Sequence, residues 1–200
     1  MNQASPVGLD RPVDSRHDHV LGPDSASITL VEYGSYACPY CHAAHAVITR
    51  LRDRFGDRMR YVFRHRPITG SEEAQRAAVL VEYANRTTGE FWPLHDALMA
   101  RGAAITSEEL DALAAQNAAV GEADEAAAEE AAARVRADTD SAHRSGASVS
   151  PTFFDHAVGP KPIMYWVTFT PKRLAGTMWP SSCRPIATRS PITNTTTPSR

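Results

Sequence analysis

Apolar residues in this chain recur with two periods, and the change from one to the other marks the elements. "SITLVEYG", Ser27 to Gly34, is rich in β-branched and apolar residues and stops at a glycine, which predicts a strand. From Pro39 to Phe55 the period lengthens. Ala43, Val47, Ile48 and Leu51 then fall on one face of a helix that Gly56 ends. "RMRYVFRH" returns to alternation, with Met59, Tyr61 and Phe63 set against arginines, and predicts a second strand. A crossover of this length between two strands implies a parallel pair.

A long helical block follows. Ser71 is placed to cap "EEAQRAAVLVEYANRT", and "GEFWPLHDALMARG" is short and amphipathic. "TSEELDALAAQNA" opens on a capping pattern, and the alanine-rich run that starts at Glu122 ends at Gly146, its outer face expected in solvent. Residues 71–145 therefore read as helices packed over a sheet, after which "VSPTFF" predicts a short strand and "IMYWVTF" one more. The expected organisation is an extended polar leader over 1–25, one domain over 26–170 with the helical block inserted at about 71–145, and a disordered tail over 171–200.

Composition narrows the function. Net charge is −2, so nothing in it asks for nucleic acid or a membrane surface, and no apolar run approaches the roughly 20 residues of a membrane span. The polar start holds no hydrophobic region of a secretory signal, so a cytoplasmic setting is expected. All 23 acidic residues lie at or before Asp155, whereas half of the 14 prolines come after it, which sets the C-terminal part apart. Three cysteines are too few for a disulfide scaffold. A close pair in a reducing compartment is more often catalytic or metal-binding than structural.

That pair is Cys38 and Cys41 in "ACPYCH". Pro39 is favoured at the first helical position, so Cys38 is expected at the strand-to-helix junction. There the unpaired amides and the helix dipole favour a thiolate, and Cys41, three residues on, lies within reach to close a disulfide. Two other chemistries share the motif. "CPYCH" fits thioether attachment of haem with His42 as axial ligand, and C-x2-C-H-x2-H with His42 and His45 offers four zinc ligands. Haem attachment goes with export, and a turn and a half of helix cannot wrap four ligands around one ion. The redox reading fits best and the other two stand behind it.

Taken together, the C-P-x-C junction after a strand, the distant "SPTFF" and the helical block resemble the DsbA-like branch of the thioredoxin superfamily from Asp18 to Phe154. Similar domains occur as free cytosolic proteins and fused behind a sodium/proton antiporter. The resemblance implies an α/β thioredoxin-like fold with a helical insertion, an atypical C-terminal part, and thiol–disulfide oxidoreductase activity with no cofactor and no metal. It implies that Cys38 is the nucleophile, Cys41 the resolving thiol and Pro151 a cis-proline beside them. Ser150 would then pair with the main chain of a substrate, and Pro39 and Tyr40 would lie against it. Glu32, the one charge in "ITLVEY", falls where the family often buries an acid, and it would shuttle the proton of Cys41. Tyr40 stands where strongly oxidising relatives carry histidine, so a less oxidising couple is expected.

The implied partners are a protein disulfide or dithiol and a recycling reductant or oxidant that the sequence does not name. A glutathione-linked transferase or isomerase, or a redox sensor acting on a partner such as an ion transporter, are the competing functions. His42 and His45 are expected in solvent beside the pair, Phe91 and Trp92 in the core of the insertion, His95 on a polar face, and Cys183 as an incidental thiol in the tail.

Overall fold

The computed structural model of the protein describes residues 8–117 and 124–157. β2 (Ile28–Gly34) and β3 (Met59–His65) lie side by side and parallel, as the crossover predicts, joined by α1 (Pro39–Phe55) and a 3-10 turn, Gly56–Arg58. β1 (His19–Leu21) pairs antiparallel with β3, and β4 (Thr152–Ala157) pairs antiparallel with β2, which gives the order β1-β3-β2-β4. Between β3 and β4 come α2 (Glu72–Thr88), α3 (Phe91–Arg101), α4 (Ser107–Asn117) and α5 (Glu125–Arg144). The predicted caps form: the Ser71 hydroxyl accepts from the Ala74 amide, and the Asp124 carboxylate accepts from Ala127.

Alternation along the two central strands sorts residues between two cores. Tyr61 and Phe63 point to one side, where they meet Cys41 and Ile48 of α1, Val81 of α2, and Phe91 and Leu98 of α3. Val31, Tyr33 and Val62 point to the other, against Ala142 near the end of α5, Ala147 and Phe154 of β4. Because β3 is covered on both sides, Arg64 is fully buried rather than solvated as the alternation suggested. α1 also sits slightly rotated from expectation. Its buried residues are Cys41, Ala44 and Ile48, with Ala43 exposed and Val47 and Leu51 half-buried, so the face runs through the second cysteine.

The leader needs the largest correction. Residues 8–25 are not an extended arm. His19–Leu21 forms the edge strand, and Leu9, Val13 and Val20 pack on the second core. Asp18 fixes this segment: its carboxylate accepts from Arg64 Nε and Nη2, both at 2.9 Å, with both side chains fully buried. Arg11 bridges Asp18, at 3.1 Å, to Asp138 of α5, at 2.6 Å. The "IMYWVTF" strand, the disordered tail and Cys183 lie outside the described residues.

Candidate active site

The site lies where the C-terminal ends of β2 and β3 meet the start of α1. β2 ends at Gly34, and the glycine is required there, since a Cβ would stand 2.5 Å from a Phe63 ring carbon and 2.8 Å from Glu32 Oε1. The chain turns through Ser35 to Ala37, and Cys38 becomes the N-cap of α1 with Pro39 in its first turn. Cys38 has extended backbone angles, and its carbonyl accepts from the amides of Cys41 and His42. No side chain caps the helix, so its amide end faces the Cys38 sulfur.

The two thiols differ in ionisation and in enclosure. The Cys38 pKa is lowered to about 6, chiefly by a hydrogen bond from the Cys41 thiol, then by the amides of Cys41 and Tyr40 and by the nearby His42, all against burial. Burial pushes the Cys41 thiol well above its ordinary range, and the neighbouring Cys38 and Glu32 add to the rise. Cys41 is the more enclosed, at 0% exposure against 3% for Cys38, and its sulfur also accepts from the Ser35 amide at 3.4 Å. Both are free thiols.

The Ser150–Pro151 peptide is cis, and the Ser150 carbonyl lies 3.1 Å from Cys38 Sγ. Arg66, which the sequence reading passed over, holds that loop. It is buried; its Nε donates to the carbonyl of Ala147 and its Nη2 to that of Ser148, both at 2.7 Å, while its own carbonyl accepts from the Ser150 hydroxyl at 2.7 Å. The signal available was the second arginine of "RHR", a charge directly after a buried strand.

Glu32 is buried as expected. The Tyr61 hydroxyl donates to its Oε2 at 2.7 Å, while Oε1 has no hydrogen-bond partner. Burial pushes its pKa up to about 7, opposed by the Tyr61 hydroxyl and the Cys41 thiol and helped by the charge on Cys38. This carboxyl therefore binds its proton more tightly folded than unfolded. The cost of ionising it is absent below about pH 4.5, grows as pH rises, and is complete above about 7. Glu32→Gln is expected to stabilise the protein by up to about 3 kcal/mol near pH 8 and by almost nothing near pH 4, measured by urea unfolding at the two values.

The histidines depart from expectation in part. His42 is half-buried, with Nε2 2.6 Å from the Tyr36 carbonyl and Nδ1 2.7 Å from that of Met99, so it ties α1 to α3 instead of lying free in solvent. His95 is fully buried against Phe63, Phe91 and Trp92 rather than on a polar face. Phe91 is core as expected, with Trp92 packed at its margin. A trio the sequence reading did not find, His19, His65 and Glu82, lies beneath, with both Nε2 atoms on Glu82 Oε1 at 2.7 and 2.9 Å.

Comparisons with known proteins bear on the family and the fold. A family model described as thioredoxin matches residues 14–159. The Na(+)/H(+) antiporter NhaA of Nitrosospira multiformis is 51% identical over 152 residues, 74% of this chain and 24% of the antiporter. NhaA of Herminiimonas arsenicoxydans is 38% identical over 154 residues, with 74% and 24% covered. The chain thus spans about a quarter of the length of these curated relatives. Among solved structures, oxidised BdbD from Bacillus subtilis superposes with a TM-score of 0.59 at 23% identity, over 75% of this chain and 85% of that one. DsbA2 of Pseudomonas aeruginosa does so with a TM-score of 0.55 at 24% identity, over 74% and 85%. The helical insertion, the mixed sheet and the profile match agree: the chain belongs to the thioredoxin family and carries the DsbA-like form of its fold.

Proposed function

We propose that the chain is a cytoplasmic thiol–disulfide oxidoreductase that works through Cys38 and Cys41. The observation that carries this reading is the Cys38 sulfur, lowered to about 6 at the amide end of α1, beside a second thiol held in its protonated form. At neutral pH Cys38 is mostly thiolate and attacks one sulfur of a substrate disulfide. The substrate S–S bond breaks, one substrate thiolate leaves, and a mixed disulfide forms on Cys38. Glu32, poised near neutrality, accepts the Cys41 proton. Cys41 then attacks Cys38 Sγ, which releases the second substrate thiol and leaves Cys38–Cys41 oxidised. Two electrons have passed to the substrate, and a dithiol or glutathione reductant must return them; run backwards, the same steps make disulfides. The Ser150 carbonyl flanks the nucleophile, and the main chain there offers an extended substrate an edge, with Pro39, Tyr40 and Pro151 around it. Three cysteines in 200 residues suit a reducing compartment.

A second reading is favoured by one finding: the relatives are named as sodium/proton antiporters, of which this chain matches a quarter. In it the Cys38/Cys41 state reports redox poise to an ion transporter. One titration separates the two. The reduced protein is equilibrated with glutathione buffers of stepped ratio, disulfides are counted by mass, and insulin reduction is followed in parallel. Joint loss of Cys38 and Cys41 with turnover supports the enzyme. Joint loss without turnover supports the sensor, and a stable glutathione adduct on one cysteine sinks both.

A further inference from the structure

One turn beyond Cys41, His45 of α1 faces His95 and Asp96 of α3, and one ligating atom from each residue lies within 4.8 Å of the others. His95 is wholly buried. Its Nδ1 lies 3.0 Å from the Tyr36 hydroxyl, whereas its Nε2 meets no hydrogen-bond partner. A buried ring nitrogen without a partner costs about 1–3 kcal/mol, so this Nε2 needs an explanation. His45 Nε2 and Asp96 Oδ1 are 3.6 Å apart. That is too long for a hydrogen bond. It is close to the tetrahedral edge of about 3.4 Å spanned by two ligands about 2.0–2.2 Å from one zinc ion. The side chains of His45 and Asp96 are 22% and 58% exposed, so water reaches one side.

We propose that His45, His95 and Asp96 bind a first-row divalent metal ion of the zinc or cobalt type, through the free Nε2 of His95, Nε2 of His45 and a carboxylate oxygen of Asp96, with water completing the shell. With a metal on Nε2 the ring proton would sit on Nδ1, 3.0 Å from the Tyr36 hydroxyl, and would donate to it, the supporting bond that orients a ligating imidazole. Two imidazoles and one carboxylate give a donor set that selects such ions over calcium or magnesium. His42 and Arg52 act on His45 as like charges, so affinity must come from nitrogen donation rather than from surplus negative charge. The other histidine trio contrasts with this one, because both of its Nε2 atoms already make short hydrogen bonds to Glu82. The site ties α1, which carries both thiols, to the insertion, and it does not depend on the proposed redox reaction.

The test uses the full chain with Cys38, Cys41 and Cys183 each changed to serine, folding checked by near-ultraviolet circular dichroism, titrated with cobalt(II). One ion per chain with visible d–d bands is expected, and Asp96→Asn or His45→Gln should weaken binding at least about tenfold. In the chain with its cysteines intact, zinc should raise the Tm, and Asp96→Asn, at an exposed position that leaves the fold alone, should remove the rise. Absence of stoichiometric cobalt, binding that survives both substitutions, or binding lost instead in Glu82→Gln would overturn the proposal.

Discussion

Cys38→Ser is expected to reduce disulfide turnover to background, a loss of about a thousandfold or more, while the protein remains folded. The two effects separate because of where Cys38 sits. It is the N-cap of α1, makes no capping hydrogen bond, and is followed by Pro39 in the first turn. Serine is among the preferred N-cap residues, so the substitution suits the helix even as it removes the proposed nucleophile. An unchanged unfolding midpoint with turnover intact would show that another group carries the reaction. Cys41→Ser should give a different failure. Attack by Cys38 still occurs, resolution does not, and the substrate stays on the protein as a mixed disulfide visible by mass spectrometry under non-reducing conditions. With Cys38 lowered to about 6, alkylation of that thiol should reach half its maximal rate near pH 6.

Much of this site could be read from the residues, because its elements are local. The strand, the junction at Cys38 and the helix that follows are encoded within Ser27 to Gly56 by β-branched residues, a proline at the first turn and a stopping glycine. What could not be read depends on which surfaces meet across the fold. Arg64 looks like the solvent side of an alternating strand, yet β3 is covered on both faces, and period-2 patterns do not report a second cover. His95 looks polar on a short helix, yet α3 is packed against Phe63 and Tyr36, so the ring is buried and bonded. "HVL" is too short and too close to polar residues to register as a strand. It becomes one because β3 offers an edge and Arg64 an anchor. Arg66 was missed for the same reason: its three contacts to the loop before Pro151 span more than 80 residues of chain.

Asp18 is where the second large effect is expected. Its carboxylate and the Arg64 guanidinium form a two-bond pair with no solvent on either side chain. Arg64 also donates to the Tyr33 hydroxyl at 2.9 Å and to the Pro12 carbonyl at 3.1 Å, so the pair sits among the central sheet, the leader and α5. A buried pair adds little over an apolar replacement of both partners, but removing one leaves an uncompensated charge. Asp18→Ala should therefore cost about 3–5 kcal/mol, and Asp18→Ala with Arg64→Met should recover a substantial part of that loss. For a chain of this size, the single variant should lower the Tm by roughly 6–20 °C. The pH dependence follows from the same contact. Burial alone would raise the Asp18 pKa, but the Arg64 hydrogen bonds and charge outweigh it, and the folded value is lowered. The stabilisation is thus complete above the ordinary carboxylate range and is lost as pH falls below it, so wild type and Asp18→Ala should converge in stability only in acid. Convergence at neutral pH instead would mean that the leader is held by its apolar contacts through Leu9, Val13 and Val20, and that the ion pair contributes little.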